Sequence, residues 1–409
     1  MKIQTTIIQL MNKILKSGNK MRSKHRSDTS LKTHKPILFY MLLASTLFNA
    51  ACRKDSAVTP EQLEVIFPAN PSSIIKGLYL LNEGNMNMNK ASLDYVDLRT
   101  GVYRRNIYGK ANPEVTRGLG DVGNDVGVYG SKMYVVVNVS NKLEILDVKT
   151  AKKIKQIDIT NCRYVTFHNG KVYVSAYVGA IGDPNAPNGN VSEIDTTTLQ
   201  IERKVNVGRQ PEEMAIVGEK LYIANSGGYS PPNYERTISV IDLATFKETK
   251  RIDVAINLGR LKADKYGDLY VTSRGDYYTI PSKLFVINTK TDAIKKTFDL
   301  AASNLWIDDD TAYIYSTEWN YILQKNTVSY AMLNVRDETL LATRFITDGT
   351  DAEIQIPYGI LVNPNTKEVY VTDARDYVTP GRLYCFGPDG KKKWSVITGD
   401  IPAHLAFVY

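Results

Sequence analysis

Residues 219–249 read E-K-L-Y-I-A-N-S-G-G, then Y-S-P-P-N-Y-E-R, then T-I-S-V-I-D-L-A-T-F-K-E-T. A short apolar-aromatic strand around Tyr222 leads into a polar loop. A second strand ends at Asp242, and a turn at Ala244-Thr245 opens a third over 248–254. Side chains that alternate in this way suit strands half-buried in a sheet. Forty to fifty residues is one propeller blade's worth of chain, so the pattern should repeat.

It does, seven times. The strand tyrosine recurs as Tyr79, Tyr134, Tyr173, Tyr222, Tyr270, Tyr313 and Tyr370, at spacings of 39 to 57 residues. The end of the second strand recurs as Asp97, Asp147, Asp195, Asp242, Asn288 and Asn334, with Gly387 in the seventh place. Asp, Asn and Gly suit a tight turn because they cap their own backbone or tolerate unusual dihedrals. A further short strand precedes the later tyrosine strands, as at 124–129, 163–167, 213–217 and 358–362. The first tyrosine strand has no such partner, whereas I-P-A-H-L-A-F-V-Y at 401–409 stands alone at the end of the chain. The expected fold is all-β, a seven-bladed β-propeller over 74–409, closed by pairing the C-terminal strand with the first blade, which leaves few sheet edges open.

The formal charge of +8 sits in the leader. Residues 1–51 hold nine Lys/Arg and one Asp, leaving 42 of the 51 basic and 42 of the 43 acidic residues for the rest. A neutral body lacks the electrostatic footprint of a nucleic-acid binder, so no nucleic-acid partner is expected. Residues 1–35 are basic and polar, and 37–51 form an apolar run too short for a comfortable membrane span. A basic region, a short apolar region and small residues make a signal peptide over 1–51, with the start at Met1 or Met21. Ala50-Ala51-Cys52 is similar to a bacterial lipobox, although Asn49 stands where leucine is usual. The expectation is a lipoprotein, lipidated at Cys52 and tethered through 52–73, a stretch with Pro60, Pro68 and Pro71. Arg53-Lys54-Asp55 resembles a signal for export to the outer face of the outer membrane. Cys162 and Cys385 fall in distant blades and read as buried free thiols.

Catalytic motifs are scarce. The ring has two histidines, His168 and His404, and no H-E-x-x-H, C-x-x-C or G-x-S-x-G. Gly118, Gly120 and Gly123 match the letters of a dinucleotide fingerprint, but a strand rather than a helix is expected after Gly123. The oxygen-rich loop 183–189 lacks the calcium-loop pattern. No cofactor is required, and the chain is expected not to be an enzyme.

The loops after the tyrosine strands are long and aromatic: 82–90, 177–189, 226–236, 273–281, 317–325 and 373–380. In a propeller they emerge on the face where the inner strands begin. That face should gather Tyr177, Tyr229, Tyr277, Trp319, Tyr358 and Tyr377. Arg163, Glu212 and Arg274 should lie near the axis, with Asn124, Asp125 and His404 at the inner-strand entries of the same face. Aromatic rings with polar tips bury much area at little entropic cost, which suits a large amphipathic ligand or a protein partner.

The repeats K-[LMV]-Y-V/I and V-I-D-x-x-T resemble the YncE-like seven-bladed propellers. G-L-Y-L-L-N-E-G-N-M, R-Q-P-E-E-M, Y-I-A-N-S-G-G-Y, D-V-A-I-N-L and T-G-D-I-P-A-H-L-A-F are similar to surface lipoproteins of Bacteroidota in that group. The resemblance covers about 75–409. It implies a non-enzymatic surface lipoprotein of BtuG-like type, capturing cobalamin or a related corrinoid for a TonB-dependent, BtuB-like transporter. On that reading Trp319 and Tyr377 would flank the corrin, while Arg163, Asn225 and Arg274 would bond its amides and phosphate. Two alternatives use the same face. One is an adhesin or interaction module for glycan or protein. The other is a metal-dependent propeller lactonase or hydrolase, with calcium held by Asn124, Asp125 and Glu212.

Overall fold

The repeats fold as seven antiparallel sheets in the computed structural model, which describes residues 62–179, 183, 185–228, 230, 232–320 and 324–409. The expected signal peptide, Cys52 and residues up to 61 lie outside that range, as do Tyr229 and 321–323.

Blade 1 pairs β2 (Gly77–Asn82), β3 (Ser92–Asp97) and β4 (Val102–Arg105) with the last strand of the chain, β29 (Pro402–Val408). Blade 2 runs from β5 (Gly123–Tyr129) to β8 (Lys153–Asp158), and blade 3 from β9 (Cys162–His168) to β12 (Ile201–Asn206). Blade 4 holds β13 (Pro211–Val217) to β16 (Lys247–Asp253), and blade 5 holds β17 (Leu258–Ala263) to β20 (Ala293–Phe298). Blade 6 spans β21 (Asn304–Asp308) to β24 (Thr339–Ala342), and blade 7 spans β25 (Pro357–Val362) to β28 (Lys392–Asp400). Closure follows the expected route, with Leu78 opposite Phe407 and Leu80 opposite Leu405.

In some blades the two sequence markers meet across the blade boundary. The Tyr79 hydroxyl donates to the Val148 carbonyl at 2.6 Å, beside the Asp147 turn of the next blade. Tyr270 does the same to Val335, beside Asn334, at 3.1 Å. In the turns themselves the Asp or Asn side chain accepts nearby backbone N–H groups, as Asp195 does from Thr197 and Thr198 at 2.9 and 2.8 Å. Apolar layers fill the gaps between sheets. Leu81, Val126, Met133 and Val135 pack between blades 1 and 2, and Leu80, Leu361, Tyr370 and Phe407 pack where the ring closes. Each fully buried aliphatic side chain here contributes about 1.5–3 kcal/mol of transfer free energy.

Two features differ from the sequence reading. The body begins before residue 74: β1 (Gln62–Val65) adds a fifth strand to blade 1 by pairing with β4, and Phe67 stacks on Trp394 at 5.4 Å. Proline content suggested a tether there, but the open edge of β4 offers hydrogen bonds that a short polar strand can take. The supposed loop 317–325 is mostly a hairpin extension of β22 (Thr311–Asn320) and β23 (Lys325–Asn334), with Trp319 opposite Asn326. Cys162 and Cys385 are buried free thiols, and burial pushes Cys162 up to about 12. Gly123 opens β5, so the glycine fingerprint precedes a strand.

Candidate mouth and channel site

One end of the ring is assembled by a repeated backbone link. In every blade but the sixth, the start of the tyrosine-strand loop donates an N–H to the residue that precedes an inner strand. The links run from Tyr177 to Asn161, Ser226 to Gln210, Arg274 to Asn257, Ala374 to Ile356 and Glu83 to Ile401, at 2.8–3.1 Å. Several acceptors hold positive φ, including Ile401 at 56° and, in blade 2, Val122 at 58°. A β-branched residue pays for that conformation, so the surrounding links must enforce it. These bonds fix the long loops and the inner-strand entries on one face, as expected.

Glu212, at the start of β13, is the centre of that face. Its carboxylate accepts from Arg163 at 3.1 Å, Arg274 at 3.3 Å and the Tyr177 hydroxyl at 2.6 Å. Burial alone would raise this carboxyl, but Arg163 and Arg274 outweigh it and draw it down to about 2. Arg163 also donates to Asn124 Oδ1, while Asn124 Nδ2 donates to the Arg163 carbonyl at 2.6 Å. The Arg163 guanidinium lies 4.8 Å from the Tyr177 ring centre. Three blades are therefore joined through one carboxylate.

A second cluster surrounds His404 on β29. Nε2 lies 3.5 Å from Glu83 and Nδ1 lies 3.4 Å from Asp125. Burial opposes its protonation, yet the bonds to Asp125 and Glu83 prevail and raise the imidazole above its ordinary range. Asp125 also accepts the Val165 N–H at 2.9 Å, and the Tyr358 hydroxyl donates to Glu83 at 3.1 Å. Beneath this cluster runs an axial cavity of about 320 Å³, lined by the inner strands of all seven blades. Its upper wall holds Asp125, Glu213, Arg260 and Asn304; its lower wall holds Phe167, Trp306, Leu361 and Phe407.

The rim is apolar and exposed. Tyr277 and Tyr278 are 55% and 81% exposed, Trp319 48% and Tyr377 40%, and Met86, Met88 and Val378 join them. Two of these loops share one turn. Asp276 accepts from the N–H groups of Tyr278 and Thr279, and Asp376 from those of Val378 and Thr379, at 2.7–3.0 Å. In each D-Y-x-T the tyrosine takes positive φ, 65° at Tyr277 and 62° at Tyr377. With the Trp319 hairpin between them, and Asn85 donating to the Tyr377 carbonyl, they form an arc over blades 5, 6, 7 and 1.

The thirteen candidate residues thus divide. Asn124, Asp125, Arg163, Tyr177, Glu212, Arg274 and His404 come together at the mouth, although Tyr177 is buried and serves Glu212. Tyr358 meets Tyr377 edge to face at 5.8 Å, which joins axis to rim. Tyr277, Trp319 and Tyr377 stand on the rim. Asn225 does not reach the face: it is fully buried inside blade 4, donating to Thr237 and Ser239 at 3.1 and 2.9 Å. Tyr229 lies outside the described residues. The candidate residues leave out Glu83, Glu213, Arg260 and Lys262, although the first three lie on the loops and inner-strand entries expected at this face. A polar residue inside an inner strand, whose edge faces the axis, was the available signal. Among the described residues no three His, Cys, Asp or Glu side chains converge as a metal cluster.

Residues 76–386 match a family model described as Domain of unknown function (DUF5074). The chain belongs to this family. Solved structures similar to this DUF5074 chain share its fold. Hydrazine synthase from Kuenenia stuttgartiensis is 15% identical at a TM-score of 0.56, covering 69% of this chain and 89% of that one. A quinonprotein alcohol dehydrogenase-like protein from Bacteroides thetaiotaomicron is 15% identical at 0.53, covering 81% and 78%. Apo AztD from Citrobacter koseri is 10% identical at 0.50, covering 82% and 98%. No curated protein matches the chain.

Proposed function

We propose that this propeller is a non-enzymatic binding protein whose mouth captures a large amphipathic ligand of the corrinoid class. The observation that carries the reading is the exposed arc of Tyr277, Tyr278, Trp319, Tyr377, Met86 and Met88 around a charged centre. Contiguous exposed apolar surface rimmed by polar groups marks an interaction site. The rings offer flat apolar contact, and the guanidinium groups of Arg163 and Arg274 lie close by to bond peripheral amides and phosphate. The axial cavity, about 320 Å³, is too small for a macrocycle, so the ligand rests across the mouth. Glu212 supports the same division of labour. Its bonds to Arg163, Arg274 and Tyr177 hold the centre rigid rather than leaving a carboxylate free as a general base.

The sequence resemblance supplies the ligand class and the setting. A lipid at Cys52 would hold the ring at the outer surface, and a TonB-dependent transporter of BtuB-like type would receive the cargo. The test is direct. The purified full chain is mixed with cyanocobalamin and passed over a sizing column. A coloured protein peak is expected, and its colour should be lost in Trp319→Ala combined with Tyr377→Ala. A colourless, folded wild-type peak rejects the corrinoid and returns the face to glycan or protein partners.

A further inference from the structure

Arg260 on β17 reaches the axial cavity without a directly bonded acceptor for its guanidinium, although Glu213 and Asp125 favour its charge from a distance. Its backbone N–H donates to Thr272 at 3.0 Å, and its guanidinium lies 5.2 Å from the Tyr164 ring centre. Among the described residues that guanidinium has no hydrogen-bond acceptor and no carboxylate within ion-pairing distance. The acidic groups around it are committed elsewhere. Asp125 accepts from Val126, Val165 and His404. Glu213 accepts from the Leu261 N–H at 2.9 Å and pairs with Lys262 at 2.6 Å. Glu212 is held by Arg163, Arg274 and Tyr177.

The surroundings add to the cost of leaving this cation alone. Arg163 also flanks the Tyr164 ring, at 5.7 Å, so two like charges gather about one aromatic side chain. Tyr164 is itself buried, and its hydroxyl has no partner among the described residues. Arginine stays charged at any accessible pH and offers a planar fork of donors matched to carboxylate and phosphate. Glu213 and Asp125 favour the charge through space, and a directly bonded oxyanion would supply the hydrogen bonds that they do not make. Tyr164 beneath the guanidinium gives it a stacking platform that fixes its direction.

We infer that the channel below the mouth is an oxyanion site, in which the Arg260 guanidinium holds a phosphate or carboxylate group. The cavity has room for a small oxyanion and accompanying water. The site stands on Arg260, Tyr164 and the committed carboxylates, and does not depend on what the rim captures.

Inorganic phosphate is the probe, titrated into the full chain at low ionic strength and followed by calorimetry and by melting temperature. Saturable binding is expected, with affinity falling about tenfold or more in Arg260→Gln, because a charged hydrogen-bond donor is lost. Arg260→Lys keeps the charge without the fork and should fall between the two. Without phosphate, Arg260→Gln should keep a cooperative melting transition, and this separates loss of the site from loss of the fold. A second arm adds cyanocobalamin. Competition with phosphate assigns the site to phosphate carried on a larger ligand, and unchanged phosphate affinity assigns it to the free ion. No saturable phosphate binding, or binding of equal strength in folded Arg260→Gln, overturns the inference.

Discussion

The Tyr177 hydroxyl of blade 3 donates a 2.6 Å hydrogen bond to the Glu212 carboxylate of blade 4, and both side chains are buried. With Arg163 and Arg274 on the same carboxylate, this contact ties three blades together at the mouth. Replacing Glu212 by Gln leaves two guanidinium groups without their counter-ion. A loss of about 3–5 kcal/mol is expected, as for breaking a buried pair from one side. Urea unfolding measures it; a loss below about 1 kcal/mol would mean that water already compensates these arginines.

The same carboxylate gives the fold an acid limit. Glu212 titrates at about 2 in the folded chain against an ordinary 4.5. The unfolded chain therefore binds its proton first. The stabilisation is present above about 4.5 and is lost as pH falls toward about 2. Unfolding midpoints of wild type and Glu212→Gln should converge across that window. A constant gap down to pH 2 would show that Glu212 is not the titrating group.

His404 acts in the opposite sense. Its imidazole is raised above the ordinary value of 6.5 by Asp125 and Glu83, against the opposing effect of burial. Its stabilisation is complete below about 6.5 and fades as pH rises through the raised value. His404→Gln should narrow the stability difference between pH 6 and pH 8, the range in which histidine changes charge. Imidazole carbon or nitrogen shifts that titrate below the ordinary value would contradict the assignment.

Tyr79→Phe removes the hydroxyl that reaches the Val148 carbonyl in the next blade. The carbonyl is left without that donor, so a loss of about 1–3 kcal/mol is expected in thermal or urea unfolding. No change would mean that packing alone holds the blade junction.

Ring closure is the largest single structural dependence. Ending the chain at Asp400 deletes β29, uncovers the β2 edge and removes Phe407 from the closing layer. The truncated chain is expected to aggregate or to lose its cooperative transition. A soluble, cooperative truncation would show that β29 is dispensable to the ring.

The repeat made the fold legible. Tyr and Asp/Asn markers at regular spacing fixed the blades because every blade repeats a buried tyrosine strand and a tight turn after the strand that follows it. The structure joins Tyr79 to the Asp147 turn, and Tyr270 to the Asn334 turn, through hydrogen bonds to Val148 and Val335. The orphan 401–409 stood out because every other tyrosine strand had a partner in front of it. Strand β1 did not stand out, because an edge strand gains its pairing from an open neighbour rather than from its own pattern. The site was legible by face but not by side chain. Asn225 and Arg274 both sit near the end of a tyrosine strand, yet one turns into its blade and the other reaches Glu212. Period-two alternation tells the two sides of a strand apart; it does not tell which end residue a neighbouring blade will cover. Arg260 was expected at an inner-strand entry of this face but not chosen, since its want of a bonded acceptor depends on carboxylates from other blades being engaged elsewhere.

Titration calorimetry of the full chain with cyanocobalamin tests the central claim most directly. The account predicts one-to-one saturable binding in wild type, weakened in Trp319→Ala by about 1–3 kcal/mol while the melting temperature is retained. Absence of heat with a folded wild-type chain, or undiminished binding in folded Trp319→Ala combined with Tyr377→Ala, would contradict it.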